Sequence, residues 1–419
     1  MRLWDRIEQG FKRRFLRILE LVLAKKPVLP QFVPFGKFQR ILVVRQHDQL
    51  GDFLLATPVL RALRESFPQA HIGVVVRSYF ADLLKNHPFA DEVLVMHEDL
   101  RKWSPSEIWR FYRQLRSGWD LAIVLNTVSH SVTSDFIAYF SGAKYILGSE
   151  HRIFPGCSRN FLYNLVAPYL GGLRHQSERN LDIVRYIDVD TADLSEVMRL
   201  TEEELVDARI RMQQNGVKSD RPVIGMHVGA GKVANRWPVD KFVLLAETLH
   251  ADYGCQILLF WGPKEDDLKD QFLARASFRP VLMPPMSLRQ VAAAFTRCHA
   301  LVCNDTGVMH LAAANKVPLV AIFGPTDPAE WKPLGDPFIA LRGHAHKTEN
   351  VTVEAVLAAL RELLPDRLAP VEAPATESPS PKIADTDTSF DISEHVIEDY
   401  VNSLQRLEKL ANRKKSGGE

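Results

Sequence analysis

Between residues 41 and 148 the chain alternates short apolar runs with stretches whose apolar residues recur every three or four positions. The runs are "ILVVR" (41–45), "HIGVVVR" (71–77), "DEVLVM" (91–96), "LAIVLN" (121–126) and "KYILG" (144–148). Runs this continuously apolar predict strands covered on both faces, and therefore a parallel sheet. Between the first two, Leu54, Leu55, Pro58, Val59, Ala62 and Leu63 fall at helical spacing and predict one amphipathic helix reaching Phe67. Further helices are expected near 105–116 and 131–140. A less regular stretch with Pro155, Gly156, Pro168 and Gly171-Gly172 follows, then helical patterns near 177–187 and 201–215.

The alternation then restarts with "RPVIGMHVG" (221–229), "CQILLFWG" (255–262), "PVLMP" (280–284), "ALVCND" (300–305) and "VPLVAIFG" (317–324), with helices from about 238, 265, 287 and 307. Two rounds of strand and helix predict an α/β chain of two Rossmann-like halves facing a cleft, with domains at 39–190 and 191–364. Val353 to Leu364 reads as a final helix that packs back across both halves.

The ends break the pattern. Residues 1–26 hold eight basic residues against three acidic ones, with Trp4, Ile7, Phe11, Phe15, Ile18, Leu19 and Val22 as an apolar stripe. That combination suits a helix on an anionic membrane surface, and equally a helix docked on its own protein, so 1–38 is read as a basic amphipathic extension. Prolines 365, 370, 374, 379 and 381 among Ser, Thr, Ala and Glu mark 365–391 as a disordered linker. Residues 392–419 form a charged segment in which 392–413 regains helical period and is expected to seek a helix partner.

Composition narrows the function. The 419 residues suit two domains plus extensions, and a net charge of +1 offers nothing for bulk attraction to nucleic acid. The four cysteines form no C-x-x-C pair, and Cys255 and Cys303 lie in apolar runs, as buried thiols of a reducing compartment do. No apolar run approaches the roughly 20 residues that span a bilayer, and no secretory cleavage pattern opens the chain. A cytoplasmic protein is expected, peripheral on the inner face of the plasma membrane if residues 1–26 bind lipid.

Candidate chemistry gathers where strands end, the usual ligand edge of open α/β sheets. In "LVCNDTGVMHLAAANKVPLVAIFGPTDP" (301–328), Asn304, Asp305 and Thr306 supply capping groups, Gly307 permits close backbone approach, and His310 follows one helical turn later. The free amides of that helix start predict a phosphate cradle. "HVGAGKVANRWP" (227–238) adds Lys232 and Arg236, and "FWGPKEDD" (260–267) adds Glu265, placed for a ribose hydroxyl pair. These loops together suit a nucleotide diphosphate. Opposite them, "RQHDQLGDFL" (45–54) carries Asp52 behind Gly51 at a helix mouth, placed to take a proton from an acceptor hydroxyl. His47 and Asp48 are expected to shape that loop or touch acceptor. No G-x-G-x-x-G, G-x-x-x-x-G-K-[ST] or G-x-S-x-G motif is present, which argues against dinucleotide, P-loop and serine-hydrolase chemistry.

"ILVVRQHDQLGDFLLATPVLRAL", H-x-x-E-R at 175–179, "RWP", "WGPKED" and "NDTGVMHLAAA" followed by "FGPTDP" resemble the heptosyltransferases of glycosyltransferase family 9 over roughly residues 40–345. The resemblance implies a GT-B fold and an inverting transferase that moves heptose from an ADP-heptose donor to a lipid-linked acceptor in the lipopolysaccharide inner core. It implies Asp52 as general base, Asp305, Thr306, Gly307 and His310 around the donor diphosphate and sugar, and Glu265 near the nucleoside. Two departures stand out. The loop between Arg45 and Gly51 is one residue longer than the commoner form, and the lysine often found two residues before W-P is Asn235, so Arg236 or Lys232 is expected to supply that charge. No D-x-D pair sits on the cleft loops, and the expectation is leaving-group stabilisation without a metal and no cofactor. Alternatives are a GT-B transferase using another nucleotide sugar, and a nucleotide-sugar-binding scaffold without activity.

Overall fold

The apolar runs become two six-stranded parallel sheets. The computed structural model of the chain describes residues 3–46, 49–128, 130–151, 153–154 and 156–368. The first sheet contains β1 (Arg40–Val44), β2 (His71–Arg77), β3 (Glu92–Met96), β4 (Leu121–Val124), β5 (Tyr145–Ser149) and β6 (Leu165–Ala167), in the order β3-β2-β1-β4-β5-β6. The second contains β7 (Val223–His227), β8 (Gln256–Phe260), β9 (Val281–Met283), β10 (Ala300–Asn304), β11 (Leu319–Phe323) and β12 (Phe338–Arg342), in the order β12-β11-β10-β7-β8-β9. Both orders reverse direction beside their first strand, and such a switch point opens a crevice at the carboxyl edge. Strands β6 and β12 are additions to the sequence reading. Both lie at a sheet edge; β6 has only three residues and β12 is half-buried throughout, so neither needs a long apolar run.

The helices are α1 (Leu3–Leu23), α2 (Leu50–Leu54), α3 (Thr57–Ser66), α4 (Pro105–Leu115), α5 (Val132–Phe140), α6 (Gln176–Arg185) and α7 (Glu202–Gln214). They continue with α8 (Val239–Tyr253), α9 (Asp266–Arg275), α10 (Leu288–Phe295), α11 (Gly307–Ala313), α12 (Pro328–Trp331) and α13 (Val353–Leu363). The helix expected through Leu54 to Phe67 starts earlier than its apolar spacing suggested and is broken into α2 and α3. Pro58 has no N–H to offer the Leu54 carbonyl, and the Thr57 hydroxyl takes that acceptor at 2.7 Å. The break frees α2 to tilt into the crevice independently of α3.

One apolar core runs between the sheets, joining Ile41 and Val43 of the first to Leu301 and Leu319 of the second through Leu54, Met198, Met309 and Leu311. Polar latches accompany it. Arg289 of α10 donates to the Asp82 and Lys85 carbonyls across the crevice at 3.0 and 3.3 Å, and pairs with Glu204. His175 Nε2 meets the Lys332 carbonyl at 2.7 Å, and Arg179 pairs with Glu330 at 3.2 Å. The H-x-x-E-R motif therefore ties α6 to the segment around α12.

Helix α13 corrects one expectation. It does not bridge the halves but packs on α8, β11 and β12, burying Val356 and Leu360 in the outer core of the second sheet. Ten residues separate β12 from α13, and Val351 and Val353 are already seated in that same core. Residues 365–367 turn back to bury Leu368, so order continues four residues into the expected linker. The rest of that linker and the helix expected at 392–413 lie outside the described residues. At the other end, α1 is docked on the first half, with Leu16 buried and Leu19 and Leu23 packed against the outer core of the first sheet. Among the described residues no helix is long and apolar enough to cross a membrane.

Candidate active site

Where the two carboxyl edges face each other, a solvent-open cavity of about 470 Å³ brings Gly51 and Asp52 together with Lys232, Asp305, Thr306, Gly307 and His310. Residues separated by some 250 positions in the chain thus share one wall because α2 and α11 cross at very short range. A Cβ at Gly51 would sit 2.7 Å from His310 Cδ2, and one at Gly307 would sit 2.8 Å from Leu50 Cβ. Gly307 lines the cavity and also meets the opposing helix at close range. Gly307→Ala is expected to cost about 1–3 kcal/mol by overpacking, read as a lowered unfolding midpoint, and an unchanged midpoint would show that the halves separate freely there.

Asp52 divides its oxygens between two tasks. Oδ2 accepts the Gln49 amide at 3.3 Å in a capping box at the start of α2. Oδ1 is sealed from solvent and accepts no hydrogen bond among the described residues. Capping and acceptance of a further proton are thus compatible in one carboxylate. Helix α2 is held from behind by Arg45, whose guanidinium reaches the Asp52 carbonyl at 3.2 Å and Asn180 at 3.0 Å, while Asn180 donates to the Leu55 carbonyl at 3.1 Å. His47 and Asp48 lie outside the described residues.

Facing Asp52, His310 is fully buried and its Nδ1 lies 2.7 Å from Glu196 Oε1. Burial alone lowers the His310 pKa, but the Glu196 carboxylate outweighs it, with Asp305 and Asp52 adding, and the ring is held above its ordinary value as a cation. Glu196 comes from the segment joining the two halves. Asp305 is raised by burial, an effect opposed by its Thr326 hydrogen bond and by the charges of His310 and Lys232. Its Oδ2 also accepts Asn235 Nδ2 at 2.8 Å.

Not every expected donor residue reaches the cavity. Asn304 is buried and fully used, donating to the Val228 and Gly229 carbonyls at 3.0 and 3.1 Å and accepting the Trp237 amide at 2.8 Å. It shapes the loop from behind. Arg236 donates to the Ala230 carbonyl at 2.9 Å, and among the two expected cations only Lys232 lines the cavity. Glu265 accepts the Gly262 amide at 2.7 Å, lies 3.5 Å from buried His227, and fills the space a Cβ would need at Gly229. It sits behind the β7 loop, outside the cavity lining.

The reading by motif passed over Asn235, Glu196 and the Arg45–Asn180 brace. Asn235 looked like a missing lysine but organises Asp305 and Thr326. Glu196 carries no local signature, because its partner lies 114 residues away. Burial pushes the Cys255 thiol up to about 11, in keeping with its place in the core.

Comparisons with known proteins agree with this architecture. The chain is 27% identical over 354 residues to lipooligosaccharide heptosyltransferase 2 of Haemophilus influenzae, covering 75% of this chain and 96% of that one. It is 28% identical over 314 residues to lipopolysaccharide heptosyltransferase 2 of Escherichia coli K12, covering 70% and 85%. The solved structure of E. coli ADP-heptose lps heptosyltransferase II superposes with a TM-score of 0.64 at 25% identity, covering 79% of this chain and all of that one. A family 9 glycosyltransferase from Veillonella parvula superposes with a TM-score of 0.68 at 23% identity over 78% and 98%, a likeness of fold. The model of glycosyltransferase family 9 (heptosyltransferase) matches residues 108–359, and the chain belongs to that family of GT-B transferases.

Proposed function

We propose that this glycosyltransferase moves a heptose from an ADP-heptose donor onto an inner-core sugar of a lipid-linked lipopolysaccharide acceptor, with inversion at the anomeric carbon. Asp52 takes the proton of the attacking hydroxyl, the hydroxyl oxygen bonds to the anomeric carbon, and the bond from that carbon to ADP breaks on the opposite face. The first amides of α11 have no side-chain cap to satisfy them. Together with Lys232 and the imidazolium of His310 they stabilise the departing diphosphate. Because the acceptor is anchored in lipid, the reaction takes place at the inner face of the membrane.

The observation that carries the reading is one cavity with an unpartnered Asp52 oxygen on one wall and Lys232, His310 and the start of α11 on the other. The heptose and ADP assignments draw on the relatives named as heptosyltransferases and on the E. coli structure named for ADP-heptose. Calorimetric titration with ADP, UDP and GDP, with and without magnesium, is expected to show preference for ADP. Preference for UDP or GDP would replace the donor, and no binding of any of the three would overturn the nucleotide-sugar donor reading.

A further inference from the structure

Three helices cover the face of the first sheet that points away from the second half, and each carries apolar side chains on its outside. Helix α1 is clamped in a single orientation. Its Glu20 carboxylate accepts the Ser158 amide at 3.1 Å, and just beyond the helix Lys25 donates to the Ala143 carbonyl at 3.0 Å. With Leu16, Leu19 and Leu23 turned inward, the opposite stripe leaves Ile18, Leu21 and Val22 more than half exposed. An amphipathic helix needs only one apolar face to dock. This one has two, and the second has no cover among the described residues. Arg13, Arg14 and Arg17 stand exposed along its edge.

The exposed apolar surface continues onto the neighbouring helices. Lys25 lies 5.8 Å from the Tyr139 ring of α5, next to exposed Phe140, and Arg116 at the end of α4 donates to the Phe140 carbonyl at 3.1 Å. On α4, Trp109 and Tyr112 are more than half exposed and stack on each other at 5.9 Å, with Arg110 and Arg113 exposed beside them. The described carboxylates of these helices are occupied elsewhere: Glu107 caps Ser104, and Asp135 is buried against His130 and Tyr163.

We infer that α1, α5 and α4 form a platform that seats the first half on an anionic lipid bilayer, with Ile18, Leu21, Val22 and Trp109 entering the interface and the arginines meeting headgroup phosphates. Aliphatic and aromatic side chains ringed by arginines match the layered chemistry of a bilayer surface, and the exposed cations match its negative charge. The placement deepens the lipid-linked acceptor reading and rests on it for its purpose. It also separates two roles, because the cavity lies at the carboxyl edge of the sheet and the platform on its outer face.

The test is flotation of the full chain with vesicles of phosphatidylethanolamine and phosphatidylglycerol, against pure phosphatidylcholine, without donor or acceptor present. The wild type is expected to float with the anionic vesicles, less so at high salt. Arg13→Ala, Arg14→Ala and Arg17→Ala together should weaken partitioning on the order of a hundredfold. Ile18→Ser, Leu21→Ser and Val22→Ser together should abolish flotation, and Trp109→Ser should weaken it while unfolding midpoints stay unchanged. With purified enzyme, the apolar triple variant should keep transfer to a delipidated acceptor and lose it toward acceptor embedded in vesicles. Equal flotation of wild type and triple variant would overturn the platform. So would absence of wild-type flotation, whether accompanied by a dimer that the triple variant dissolves or by flotation gained on removing residues 369–419. Failure of transfer from ADP-heptose alongside intact flotation would overturn the proposed reaction and leave the platform standing.

Discussion

Asp52→Asn is expected to lower the rate of sugar transfer by a factor of about 10²–10⁴ while ADP affinity and the unfolding midpoint stay at wild-type values. The reason for expecting so clean a separation is the division of labour within the side chain. The amide oxygen of asparagine still accepts the Gln49 amide, so the capping box and the pose of α2 survive. What is lost is the second oxygen, which has no partner among the described residues and can take a proton as a carboxylate but not as an amide. Initial-rate assays with radiolabelled donor, paired with calorimetry, distinguish the two effects. Transfer within tenfold of wild type would remove Asp52 from the role of base, and weakened ADP binding would instead mean that the side chain holds the cleft.

Breaking the Glu196–His310 pair should have the largest effect on stability. Both side chains are almost fully buried, and Glu196→Ala is expected to destabilise the protein by about 3–5 kcal/mol, because it strands a buried imidazolium without its nearest counter-charge. The pH dependence gives a sharper signature. The folded-state pKa of His310 lies above its ordinary value of about 6.5. A group so raised contributes its full stabilisation below the unfolded pKa and loses it as pH rises through the folded one. Wild-type stability in denaturant titrations should therefore fall as pH increases from about 6.5. Glu196→Gln should lose most of that slope, leaving what Asp305 and Asp52 still impose on the ring. Superimposable pH profiles for the two proteins would show that the imidazole is neutral in the fold. Since the same imidazolium faces the leaving diphosphate in the proposed reaction, the variant should also lose rate at high pH sooner than wild type.

Much of this protein is legible locally. Ten of the twelve strands among the described residues stand out as continuous apolar runs, because a strand covered on both faces cannot hide its composition. The two missed strands lie at edges and carry no such demand. The residues of the cavity were also visible as types, since Asp, Thr, Gly and His at the ends of apolar runs are rarely wanted by a core.

Which of those residues meet was a different matter. Arg236, Glu265 and Asn304 sit in the same loops as Lys232, Thr306 and Asp305, yet each bonds a neighbouring amide or carbonyl and none of the three lines the cavity. Spacing along a loop does not say which way a side chain turns. The contact of Gly51 with His310, and of Gly307 with Leu50, depends on two helices far apart in the chain crossing without intervening side chains. Local pattern thus determined the strands, the helices and the chemical types at their ends, because those follow from periodicity and capping within a few residues. Only the tertiary structure decided that Asp52 keeps a free oxygen, that Glu196 charges His310, and that α1 turns a second apolar face outward, because each depends on partners that the chain brings together from more than a hundred residues away.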